Sequence, residues 1–258
     1  MLMLGTFFLL MLGCTEYIRE NYKLPWIEKK SLIEEGNPGV GFIPNIIKTT
    51  SPLIWYTFKG PQAFDNMKYN PYVDYLNKYL KAYDEAEKNK HNYSNCENSK
   101  EEDKPCIFLR KHLGPCGAGE FGYPDKKPCI YIKINKLPEW VPEYYTGYDL
   151  PEEMPHSLKT AIKTDSNKKK LWVHCDGVYP PDSDHIGALS YYPHRGIMGY
   201  YFPYDGNKHY ITPLVAVKVD NIKKGYAVNM RCSVWAKNIR YTDPRTHSAY
   251  IQMYLAMD

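Results

Sequence analysis

The chain has 258 residues and a mass of 30.1 kDa, room for one or two domains with a sizeable core. With 43% hydrophobic and 24% charged residues, it fits neither a disordered nor a fibrous protein. A net charge of +4 is too small and too dispersed to imply nucleic acid, while 25 tyrosines against 8 Phe and 5 Trp favour β-structure and surfaces that present a ring with a polar tip.

Residues 1–14 form an uncharged apolar run, MLMLGTFFLLMLGC. A spanning helix needs ~20 apolar residues, so this run is short of one. It also lacks the basic start of a secretory signal or a lipoprotein leader. A secretory signal, a lipoprotein leader and a start inside a longer membrane helix stay open, and all three place the rest of the chain outside the cytosol. Residues 15–65 are broken by Pro25, Gly36, Pro38, Gly39, Gly41, Pro44, Pro52 and Pro61. They read as an extended stalk, and residues 66–258 as the folded domain. Asn70 is a good N-cap with Pro71 at the first helical position, and Tyr72, Leu76, Tyr79 and Tyr83 follow at helical spacing. The helix should end near Lys88, where a polar loop begins. That loop carries the sequon Asn92-Tyr93-Ser94, a candidate glycosylation site at Asn92.

Past Cys129 the hydrophobic period changes to two. Ile130, Ile132 and Ile134 alternate with Tyr131 and Lys133; Leu171, Val173 and Cys175 alternate with Trp172 and His174. Val215, Val217 and Val219 repeat the pattern, as do Val228, Met230, Cys232 and Val234, then Ile251, Met253, Leu255 and Met257. Strands without intervening helices suggest a mainly β, immunoglobulin-like antiparallel sandwich carrying one helix. Cys175 and Cys232 fall on inward faces, where a bridge would resemble the inter-sheet disulfide of such domains. Setting Cys14 aside, Cys96, Cys106, Cys116, Cys129, Cys175 and Cys232 form an even set in an extracytoplasmic setting. Six cysteines allow 15 pairings, and the spacing alone does not choose among them. Without Cys-x-x-Cys or paired-His spacing, disulfides are favoured over a metal.

The sequence contains no phosphate-binding glycine loop, nucleophile elbow or zinc-protease motif. Gly114–Gly119 reads as a loop held by Cys116. Asp182, Asp184 and His185 sit in ordinary turn sequence, and Lys168, Lys169 and Lys170 read as a solvated hairpin loop. The chain is expected to be no enzyme, with no catalytic residues, metal or cofactor. Residues 189–214, LSYYPHRGIMGYYFPYDGNKHYITPL, concentrate tyrosines among prolines and glycines. They suit either edge packing or a recognition surface, since Tyr gives large contact area at low entropic cost.

Several ordered blocks carry a resemblance. They are Ser31-Leu32-Ile33 with Asn37-Pro38-Gly39-Val40-Gly41-Phe42-Ile43-Pro44, Leu53-Ile54-Trp55-Tyr56, and Gly122-Tyr123 with the run from Lys127 to Lys136. Then come Cys175-Asp176-Gly177, Tyr191-Tyr192-Pro193, Tyr201-Phe202-Pro203-Tyr204, Pro213-Leu214-Val215-Ala216-Val217 and Trp235-Ala236-Lys237-Asn238-Ile239. From about Phe7 to the C-terminus, the chain resembles the β-subunit of the sodium/potassium-transporting ATPase, insect type in particular. The resemblance implies a type II membrane glycoprotein of the plasma membrane with an extracellular immunoglobulin-like ectodomain. It implies neighbour disulfides 96–106, 116–129 and 175–232. It also implies a non-catalytic role: the α-partner hydrolyses ATP and exchanges sodium for potassium, while the β-subunit aids its folding, membrane delivery and ion affinity. Tyr191, Tyr192, Pro193, Tyr201, Phe202, Pro203 and Tyr204 match the family's α-contacting region. The family's cytoplasmic tail and first half of its membrane helix have no counterpart here, so residues 1–14 are expected to be a partial anchor. That departure and the single sequon leave a pump-independent adhesion or junction glycoprotein as the alternative.

Overall fold

Alternating apolar residues fold here into two stacked sheets, as the period-two pattern requires. The computed structural model describes residues 2–21, 39–46, 53–57, 71–97, 103–220, 222–223, 225–239 and 248–256. Asn70 and the block 31–38 lie outside the described residues. The strands are β1 (Val40–Ile43), β2 (Leu53–Thr57), β3 (Cys129–Ile134), β4 (Lys170–Gly177), β5 (Ala188–Tyr192), β6 (Gly196–Met198), β7 (Val215–Asp220), β8 (Ala227–Trp235) and β9 (Ser248–Ala256). One sheet has the order β1-β3-β7-β5 and the other β2-β9-β8-β4-β6. Every pairing is antiparallel except β2 with β9, where Leu53 lies opposite Gln252 in parallel register. Both β1 and β2 come from the stretch read as stalk, and each forms the edge of a sheet.

The core between the sheets holds Ile130, Ile132, Val217, Val219, Val173, Val228, Met230 and Val234, all fully or nearly fully buried. Each such side chain contributes roughly 1.5–3 kcal/mol by leaving water. Helix α2 (Pro71–Lys88) ends where its apolar spacing stops, and it buries Tyr72, Leu76, Leu80 and Tyr83 on one face. Arg110 fastens that helix to the 3-10 segment Arg110–Cys116, reaching Asp84 at 2.9 Å, Asn77 at 3.0 Å and the Gly117 carbonyl.

Helix α1 (Leu2–Asn21) extends the N-terminal apolar run, with Phe7, Phe8, Leu9, Leu10, Met11 and Leu12 all exposed. Among the described residues, no helix is long and apolar enough to cross a membrane.

Two further helices go beyond the one the sequence suggests. In α3 (His156–Thr164), Leu158 and Ile162 cover the outer face of the five-stranded sheet and complete a small second core with Tyr145, Met154, Trp172 and Trp235. Because α3 covers it, β4 is buried on both faces from Lys170 to Cys175. Helix α4 (Pro180–Ile186) starts on two prolines, which suit a first helical turn as well as they suit a β-turn.

Three disulfides join Cys96 to Cys106, Cys116 to Cys129, and Cys175 to Cys232. The third is not an inter-sheet bridge. Cys175 and Cys232 face each other across the β4–β8 ladder of a single sheet, with their Cα atoms 4.0 Å apart. Lys170 also departs from expectation. It opens β4 almost fully buried, with Nζ 2.5 Å from Asp165 Oδ2 and 5.2 Å from the Trp172 ring centre. Burial pushes the Asp165 carboxyl up, but hydrogen bonds from Lys170 and the Asn167 N–H outweigh it and hold the group below its ordinary value.

Candidate partner-binding site

The tyrosine-rich segment 191–204 runs from β5, an edge of one sheet, to β6, an edge of the other. It therefore closes one open side of the sandwich. Pro193 and Gly196 interrupt any longer strand there, and edge strands tolerate both.

The residues named from the sequence divide by burial. Tyr201 and Tyr204 are buried at 7% and 9% exposure and work as anchors. The Tyr201 hydroxyl donates to the Ile107 carbonyl at 3.1 Å, and its ring lies 6.0 Å from Phe108. Burial raises the Tyr201 phenol well above its ordinary value, so it stays a neutral hydrogen-bond donor. Tyr204 packs edge-on against Tyr210 at 4.8 Å, and Lys136 sits over both rings. By contrast, Tyr191, Tyr192, Pro193 and Phe202 are half-buried and Pro203 is exposed. Tyr192 lies against Gly114, where an added Cβ would meet its ring at 2.9 Å. Phe202 meets Trp140 edge-on at 5.6 Å. The outer surface is thus a row of rings and prolines whose inner members are fixed.

Arg195 braces this segment, and no sequence motif singled it out. Its Nε donates to the Val173 carbonyl at 3.4 Å, Nη1 to the Ser157 carbonyl at 3.1 Å, and Nη2 to Ser157 Oγ at 3.2 Å. The guanidinium lies 4.9 Å from the Tyr191 ring centre, and Nη2 lies 2.6 Å from His174 Nδ1. Arg has only donors, so His174 Nδ1 must accept, which requires a neutral imidazole. Burial above all, then the Arg195 and Arg231 charges, lower the His174 pKa to about 4; Asp176 opposes them only in part. Tyr191 is tied to β4 as well, because the Cys175 N–H donates to its hydroxyl at 3.0 Å.

Of the other candidates, Asp182 has a clear structural role. Asp182 is buried and accepts from the Tyr179 N–H and the Asn229 N–H, both at 3.1 Å, which caps α4 and ties it to β8. The His185 ring lies 4.1 Å from the Tyr226 ring at a tilt of 32°, and Asp184 is exposed. Among the described residues there is no group of three or more His, Cys, Asp or Glu placed to hold a metal ion. Asn92 ends the 3-10 turn Lys90–Asn92 half-exposed, while Ser94 of the same sequon is buried and pairs with Cys106 in a short bridge.

Residues 1–252 match the family model described as the sodium/potassium ATPase beta chain. The chain belongs to that family. A Drosophila melanogaster relative, the sodium/potassium-transporting ATPase subunit beta-2, is 38% identical over 83% of this chain and 69% of its own length. The beta-1 subunit of the same fly is 31% identical over 84% of this chain and 69% of its length. A Caenorhabditis briggsae protein described as a probable beta-3 subunit is 30% identical over 90% of this chain and 70% of its length.

Proposed function

We propose that the chain is the non-catalytic β-subunit of a plasma-membrane sodium/potassium pump. It assists folding, membrane delivery and ion affinity of a catalytic α-subunit. The observation that carries this reading is the aromatic row 191–204, closing one side of a disulfide-bonded sandwich in a chain matched along 1–252 to the β-chain family. In this reading Tyr192, Pro193, Phe202 and Pro203 meet the α-subunit, while Tyr191, Tyr201 and Tyr204 hold them in place. Rigid aromatic anchors suit such a role because little side-chain entropy remains to be lost on binding. The exposed apolar helix α1 would belong to the membrane end, the sandwich would face the cell exterior, and Asn92 would carry a glycan. ATP hydrolysis and ion movement would belong to the α-subunit.

Co-expression of the full chain with a pump α-subunit, followed by affinity capture, tests the proposal. The wild type should co-purify with α, and a Tyr192→Ala/Phe202→Ala double variant should lose most of that recovery while still folding, at a melting temperature lowered by the loss of two half-buried rings. A folded chain that captures no α-subunit, yet whose loss loosens cell contacts, would favour the adhesion reading.

A further inference from the structure

The chain's tyrosines are mostly spent on packing, and one is conspicuous by its exposure. The connection between β3 and α3 carries Tyr144, Tyr145 and Tyr148 close together. Tyr145 is 4% exposed in the second core, and Tyr144 is half-buried with its hydroxyl against Gly199. Tyr148 is 100% exposed, more than any other large hydrophobic residue described. Burying a ring of this size is worth roughly 1.5–3 kcal/mol, and the fold forgoes that gain here.

The loop is built to hold the ring out. The Thr146 N–H and Oγ1 both donate to Asp149 Oδ1, at 2.8 and 3.0 Å, closing a tight turn. Gly147 supplies the positive φ of +104° that the turn needs. An ion pair from Asp149 to Lys237 of the β8 end anchors the turn to the domain. Burial pushes the Asp149 carboxyl up, but the Lys237 and Thr146 hydrogen bonds outweigh it, so the group is held well below its ordinary value and stays anionic. Glu143, Glu152 and Glu153 are exposed on either side, and residues 143–153 contain no Lys, Arg or Cys.

A protruding phenol with acidic neighbours in sequence, Glu143, Asp149, Glu152 and Glu153, matches the chemistry of tyrosine O-sulfation, although Lys237 pairs with Asp149 and the Lys168 stem lies beside Gly147. An enzyme that binds a polyanionic nucleotide phosphosulfate needs a basic cleft, and such a cleft selects acidic acceptor loops. We propose that Tyr148 is sulfated in the secretory pathway. This rests on the reading of the sandwich as an extracellular domain. The phenol oxygen attacks the donor's sulfur, so a new O–S bond forms as the S–O bond to the nucleotide phosphate breaks. The phenol proton passes to a base of the transferase, and the nucleotide phosphate leaves with the electron pair. No oxidation or reduction is involved. The product places a fixed negative charge at the tip of the loop. Tyr144 and Tyr145, in the same acidic stretch, are withheld by burial.

The test is metabolic labelling with radioactive sulfate of the full chain expressed in insect cells, after enzymatic removal of N-glycans. Wild type and Tyr144→Phe should carry label, Tyr148→Phe should carry none, and all three should melt alike. Peptide mass spectrometry should place one phosphatase-resistant SO3 group on Tyr148. An unlabelled wild type, label persisting in Tyr148→Phe, or a phosphatase-sensitive group at Tyr148 overturns the proposal. A chain that reaches the Golgi and captures an α-subunit without sulfate defeats this inference alone. One that never enters the secretory pathway defeats the functional reading too.

Discussion

Replacing His174 with Gln should change how the domain responds to acid. In the folded chain His174 accepts from Arg195 and is held neutral, with a pKa lowered from 6.5 to about 4 by burial first and by neighbouring positive charge second. The unfolded chain binds a proton at this side chain near the ordinary histidine value. Stability from the neutral imidazole is therefore full above that value and drains away as pH falls towards the folded one. Between about pH 7.5 and about pH 4.5 the loss is about 2.5 kcal/mol for this single group. Protonation would also set two cations against each other at 2.6 Å and release the brace between α3, β4 and Tyr191. A Gln can still accept from Arg195 but cannot titrate. Burial also lowers His112 and His194, so they add their own loss in both proteins, and only the difference isolates His174. Urea unfolding across that pH range should show the wild type losing about 2.5 kcal/mol more than His174→Gln. Parallel pH profiles would refute the reasoning.

Two further outcomes follow from the covalent and backbone geometry. Converting Cys175 and Cys232 to Ser together frees a loop with a separation of 57 residues and should cost ~4 kcal/mol, against ~3 kcal/mol for Cys96 and Cys106, separated by 10. Denaturant midpoints in the opposite order would contradict this. Gly122 has a φ of +72°, and a Cβ there would sit 2.1 Å from the Lys127 carbonyl oxygen. Gly122→Ala should therefore cost more than ~1 kcal/mol, the penalty for the left-handed backbone alone, and thermal melting would reveal a neutral substitution if the turn can yield.

Much of the sandwich is legible where a pattern is local. The valines of β7 and β8 and the isoleucines of β3 announce their period, and Pro71 with the Tyr72–Leu76 spacing announces α2. Strand β2 has no such signal, because its partner β9 lies about two hundred residues away and the pair is parallel. Strands β5 and β6 are short and broken by Pro193 and Gly196, and α3 shows only two buried positions, Leu158 and Ile162. Alternation assigns Cys175 and Cys232 to a face but cannot say which strand lies beside which, so the in-sheet bridge was hidden. The aromatic row was visible by composition. Its division into anchors such as Tyr201 and presented groups such as Phe202 depends on packing that no local pattern records. Arg195 was invisible for the same reason: its partners come from α3, β4 and β5.

The most direct measurement of the central claim is quantitative capture of a pump α-subunit by the full chain and its surface variants. Alanine at Tyr192 and Phe202 should remove most of the captured α-subunit while the chain still folds, with a melting temperature lowered but well above the assay temperature. Alanine at Tyr148, which is fully exposed and outside the aromatic row, should leave capture unchanged. Equal recovery of α by the wild type and the Tyr192/Phe202 variant would contradict the assignment of the aromatic row as the partner-binding face.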